Sequence, residues 1–188
     1  MKKFIVSNLQ GKRILILFLI TNAVYAIMLL ISIPHVMSFA KGMKLLDMMP
    51  TGYSPEYVSD LFNSLGEAGR DAYLYNQLPW DMVYPFLFGI ANCLLMAWVL
   101  NKLGKLNGGW YYLCLIPLFS GIFDYGENLG IISMLVTYPG YSMLQVKVTS
   151  VFSVLKSFST TLFFTTLIVC LIWFGVLVLR KRSKASVS

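Results

Sequence analysis

The chain has 188 residues, 57% of them hydrophobic and 12% charged, with a mean hydropathy of +0.71 and a formal net charge of +7. That balance excludes an ordinary soluble domain and fits one compact, all-α integral membrane unit. The basic residues flank apolar stretches instead of gathering on one face, so no nucleic-acid partner is expected.

Residues 1–13 form a basic N-terminal segment with Lys2, Lys3, Lys12 and Arg13. The first apolar run, Ile14 to Ile33, is long enough for the ~20 residues that cross a ~30 Å hydrocarbon core. It continues past Val24-Tyr25-Ala26, the place that would suit leader cleavage, and so reads as a span. Residues 34–80 then make a connection too long for a plain turn. Within it Ser54-Pro55-Glu56 is a helix start, with an N-cap serine, proline at the first position and an acid in the first turn. Val58, Leu61, Phe62 and Leu65 follow at helical spacing, and Gly66 ends that amphipathic segment. A second short helix is expected from Glu67 to Gln77 with Tyr73 and Leu74 turned inward. A further interfacial turn or helix is expected within Val36–Met49, with Leu45, Leu46, Met48 and Met49 on its apolar side. Together these predict an outer lid lying on the membrane surface.

The second span covers 81–100, opened by Pro79-Trp80-Asp81 with Pro85 one turn in; Asp81 suits an N-cap there. Lys102 and Lys105 fill a short loop. The third span covers 110–136, bracketed by Trp110, Tyr111 and Tyr112 at one interface and Tyr138 at the other. A short loop, Tyr138–Thr149, turns at Pro139-Gly140 into the fourth span, 157–179. The tail 180–188 is basic and rich in small residues, and is expected to be disordered. Residues 14–179 therefore form a four-helix transmembrane bundle with short amphipathic helices in the first outer loop. The positive flanks place it as a multi-pass protein of the cell (inner or plasma) membrane with cytoplasmic N- and C-termini.

Cys93, Cys114 and Cys170 lie within spans without paired spacing and read as apolar filler. With His35 the single histidine, no metal site is expected, and no nucleotide loop or hydrolase motif calls for a cofactor.

The third span carries the polar constellation. Asp124, Glu127 and Asn128 are three and four apart and share one helix face, which Ser120 extends by a turn. Gly126 and Gly130 form a small-residue pair expected roughly opposite. Ionisable groups in hydrocarbon cost on the order of 2.5–3.5 kcal/mol each and mark function by default. At ~1.5 Å per residue, Asp124 and Glu127 lie roughly 20 and 24 Å up from Tyr111, Asp81 about 28 Å up from Leu100, and Lys156 about 34 Å up from Leu179. Since a lysine stem reaches several ångströms, these groups converge under the lid, where Tyr84 joins and Arg70 closes the cluster from above. The bland alternatives are an Asp81 cap, a snorkelling Lys156, a solvated Arg70, and a structural ion-pair network around Asp124 and Glu127.

In order, the polar landmarks are Leu65-Gly66-x-x-Gly69-Arg70-x-x-Tyr73, Asp81-x-x-Tyr84-Pro85, Asp124-Tyr125-x-Glu127-Asn128 and Ser150-x-Phe152-Ser153-x-x-Lys156. This pattern resembles a family of small, mainly bacterial four-span membrane proteins with no assigned activity. The resemblance implies the four-helix topology and the grouping of Arg70, Asp81, Asp124, Glu127, Asn128 and Lys156. A looser likeness to sterol-isomerase-like membrane proteins lacks the histidine those enzymes use.

Three activities fit such a cluster. One is an outward-facing intramembrane cavity that holds a small amphiphile or membrane lipid. The second is a proton-coupled transporter, which at this size would work as a homodimer. The third is an intramembrane lipid-modifying enzyme with Asp124 and Glu127 as acid and base.

Overall fold

The computed structural model describes residues 2–185, and every regular element among them is helical. Helix α1 (Lys2–Ser7) leads into α2 (Gly11–Ile27), which passes through a π turn (Met28–Ser32) into α3 (Ile33–Met37). The first apolar helix is therefore Gly11–Met37, longer than the predicted 14–33. Pro34 does not end it. Proline has no N–H to give, and the turn before it is widened, with the Ile33 N–H donating to the Met28 carbonyl five residues back.

Residues 38–54 hold one short 3₁₀ turn (Leu46–Met48), pinned by fully buried Leu45 and Leu46. Helix α4 (Pro55–Ala72) starts as the sequence indicates: the Tyr57 N–H donates to the Ser54 hydroxyl at 3.2 Å. The same hydroxyl holds the Glu56 carboxyl below its ordinary range. Val58, Leu61, Phe62 and Leu65 form the buried face. At Gly66 the backbone takes φ 63, ψ −173, a conformation nearly confined to glycine, so the helix breaks there into the two expected segments, and the second runs on past Gln77 instead of ending there.

A second π turn (Tyr73–Gln77) carries the chain straight into α5 (Leu78–Lys102). Asp81 thus sits inside continuous helix and is not an N-cap, because the turns before it already supply helical hydrogen bonding. After residues 103–108 a 3₁₀ stretch (Gly109–Leu115) precedes α6 (Ile116–Val136). Pro117 suits the first α turn, so the predicted third span becomes α-helical only from Ile116. The predicted loop at Tyr138–Thr149 shrinks to 137–142, since α7 (Met143–Ala185) begins early. The tail is helical through Ala185, where disorder was expected; its last residues, 186–188, lie outside the described residues.

Contacts along the chain fix the packing. Gly11 meets Trp98 while Tyr25 stacks on Tyr84, so α2 and α5 are antiparallel. Gly89 lies against Pro117 and Leu118, and Gly121 against Pro85, which makes α5 and α6 antiparallel. Gly126 faces Phe152 and Gly130 faces Thr149, setting α7 antiparallel to α6. A Cβ on Gly126 would come within 2.7 Å of the Phe152 ring, so these glycines permit the close approach. They were expected opposite the acids, yet both features meet α7, at successive levels.

Two apolar cores result. One gathers α3, α4 and the loop side around Leu45, Phe62, Tyr73 and Met134; the other gathers Ile14, Phe88, Met96, Cys114, Phe163 and Cys170 at the opposite end. All three thiols are free and buried in the second core. Between the cores lies a polar layer. Three helical runs, Gly11–Met37, Pro55–Lys102 and Met143–Arg180, are long and apolar enough to cross a membrane, as an all-α membrane protein requires. Helix α6 is not among them, because Asp124, Glu127 and Asn128 dilute its apolar content.

Candidate functional site

Lys156 of α7 anchors the polar layer. Its ammonium lies 3.3 Å from the Asp124 carboxylate, forms an ion pair with Glu127, and donates to the Asp47 main-chain carbonyl at 3.5 Å. The Glu127 side chain is fully buried, whereas those of Asp124 and Lys156 retain 10% and 16% exposure. Lys156 therefore points inward to the acids and does not snorkel to the surface.

Asp81 and Asn128 meet for a reason written into helix geometry. Pro85 stands four residues after Asp81 and has no N–H, so it cannot bond the Asp81 carbonyl. The Asn128 side-chain amide supplies that bond from α6, at 2.6 Å. Gly121, against the Pro85 carbonyl, lets the two helices close enough for this. The Asp81 carboxylate is left free: the residue is 4% exposed, and no hydrogen bond or ion pair engages that group among the described residues.

A second ring of contacts holds the loop over this layer. The Asp47 carboxylate accepts from the Tyr73 hydroxyl at 2.8 Å and the Gln77 amide at 3.2 Å. Gln77 in turn accepts from Ser32, which ties the two π turns together. The Tyr53 N–H donates to the Ser150 hydroxyl and the Ser153 hydroxyl to the Met49 carbonyl, both at 2.9 Å. Burial pushes the Tyr53 phenol above its ordinary range, so it stands neutral beside the acids. The Ser-x-Phe-Ser-x-x-Lys segment thus has assigned contacts: two loop latches, a glycine neighbour and the ammonium.

Beside the cluster opens a cleft of about 470 Å³. Its back wall carries Asp81, Tyr84 and Phe88 from α5 with Ser120 and Asp124 from α6; Asp47, Met48 and Pro50 roof it. One side is Tyr25, Leu29 and the π turn, the other Lys156, Ser157, Thr160 and Thr161 of α7. The rims are exposed at Leu29 and Thr161, so the cleft faces sideways between α2 and α7.

Of the residues singled out in the sequence, Asp81, Tyr84, Asp124, Glu127, Asn128 and Lys156 come together. Arg70 does not. Its guanidinium donates to the Phe62 carbonyl at 2.9 Å and sits 4.0 Å above the Tyr138 ring, bracing the lid against the α6–α7 turn. Asp47 stands over the cluster instead. Asp47 is not among the residues singled out in the sequence, although an acid flanked by Leu45, Leu46, Met48 and Met49 is a signal of burial. Tyr25 and Thr160, too, became visible only through packing.

The chemistry available is a cluster of carboxylates around one ammonium, with hydroxyls nearby and an apolar flank. Such a surface can seat a cationic or hydroxylated head group or pass a proton. Comparison with protein-family models, curated proteins and solved structures finds no match.

Proposed function

We propose that this chain is a multi-pass protein of the cell membrane that holds a small amphiphile or a membrane lipid in the sideways cleft. The observation that carries the reading is the cleft itself: about 470 Å³, within the roughly 300–1,000 Å³ usual for small-molecule sites, with acids behind and an apolar rim in front. A water-soluble ligand would not need an entrance between apolar helices.

In this reading α6 is the fourth crossing, with both termini cytoplasmic and the loop 38–54 outside. Its acids turn toward α5 and α7, while Phe119, Ile122, Leu129 and Val136 form an exposed apolar side suited to lipid. Native mass spectrometry of the gently solubilised protein tests the binding. The expected result is a co-purifying small molecule that disappears in Ser157→Trp, which fills the cleft from α7. A bare mass in the wild type, or a bound mass indifferent to Ser157→Trp, overturns it.

A further inference from the structure

The charges at the cleft narrow the head group of its occupant, an argument that rests on the amphiphile reading above. Three carboxylates line the cleft, Asp47, Asp81 and Asp124, against one lining cation, Lys156. That ammonium is already shared among Asp124, Glu127 and the Asp47 carbonyl. The Asp47 carboxylate has a partner on each oxygen. Asp81 is the acid left over, 4% exposed, on the cleft wall, its carboxylate unengaged among the described residues.

Among the described residues no other basic side chain lines the cleft to serve it. Arg70 is occupied at Phe62 and Tyr138, and Lys41 and Lys44 are exposed. An unpaired carboxylate in a water-poor site is costly, and a cation delivered to it offsets that cost. An ammonium brings three N–H donors, and the wall presents matching acceptors in Asp81, Asp124 and the hydroxyls of Ser120 and Thr160. The apolar lining, Tyr25, Leu29 and Met28 on one side with Phe88 on the back wall, suits an alkyl chain.

We infer that the cleft takes a single-chain amphiphile with a protonated primary amine at its head, the ammonium seated against Asp81 and Asp124 and the chain leaving between α2 and α7. The full-length protein in nanodiscs of zwitterionic lipid, offered equimolar dodecylamine, dodecanol and dodecanoate, tests this by native mass spectrometry. Dodecylamine should be retained over each of the others by about tenfold or more, the difference a charge-assisted contact makes. Asp81→Asn, nearly isosteric and with its main-chain bond to Asn128 intact, should abolish that preference, and Ser157→Trp should abolish retention of all three. Equal retention of dodecanol by the wild type overturns the inference without recourse to any variant, as does a preference that survives Asp81→Asn. If Ser157→Trp still empties the cleft in those cases, the amphiphile reading stands and the cationic head alone is lost. Retention unaffected by Ser157→Trp removes both.

Discussion

At the scale of single residues, the most consequential pairing is between a proline and an asparagine on neighbouring helices. Pro85 strips the Asp81 carbonyl of its helical partner and Asn128 restores one, at 2.6 Å in a buried setting. Asn128→Leu should therefore destabilise the protein by about 1–3 kcal/mol, the cost of an orphaned buried carbonyl. In a Pro85→Ala background the helix supplies its own N–H, and the same change should cost measurably less. Thermal unfolding of the four members of that cycle in one detergent checks the coupling, and additive losses would show that the amide does not fill this gap. The residues of this pair were conspicuous in the sequence; their relation was not. Spacing shows that Asp124, Glu127 and Asn128 share a face, but which atom Asn128 serves depends on how α5 lies against α6. Arg70 illustrates the converse, since a cation in a loop above acids invites pairing until Tyr138 is found beneath it.

Among the elements, the lid shows how local rules survive and boundaries do not. The N-cap at Ser54 and the buried stripe from Val58 to Leu65 were legible because both are set within a few residues. The break at Gly66 was legible too, since a glycine with positive φ interrupts a helix; not legible was that the segment after it runs on through Gln77 into α5. Gly66→Ala should destabilise by about 1–3 kcal/mol through backbone strain, as no neighbour lies within 4 Å of the added methyl. Gly175→Ala in α7 also meets nothing within 4 Å but has no such backbone constraint, and should stabilise by about 0.5–1 kcal/mol. Opposite shifts in melting temperature are the expected outcome. The π turns escaped the sequence reading altogether, because a widened turn leaves no spacing signature; tertiary bonds such as Ser32 to Gln77 hold them.

Over the whole molecule, antiparallel packing of α2, α5, α6 and α7 returns both termini to one end, where Trp110 and Trp173 lie 5.9 Å apart. Four membrane crossings then require Lys3 and Arg180, both exposed, to face the same compartment. The native thiols are buried, so cysteines introduced by Lys3→Cys and Arg180→Cys can be read with an impermeant maleimide on sealed vesicles. Both should react from one side and Asn63→Cys from the other; labelling of the two ends from opposite sides would leave three crossings. The sideways cleft has one further consequence in this arrangement. Its mouth between α2 and α7 is bordered by exposed Leu29, and Leu30 and Phe158, next in sequence to the lining residues Leu29 and Ser157, are exposed and apolar as well. In the proposed bilayer placement, a solute arriving there has already dissolved among the lipids, so its mole fraction there, and not its molarity in water, would govern occupancy. Diluting the vesicles at a fixed lipid ratio would leave the site as full as before.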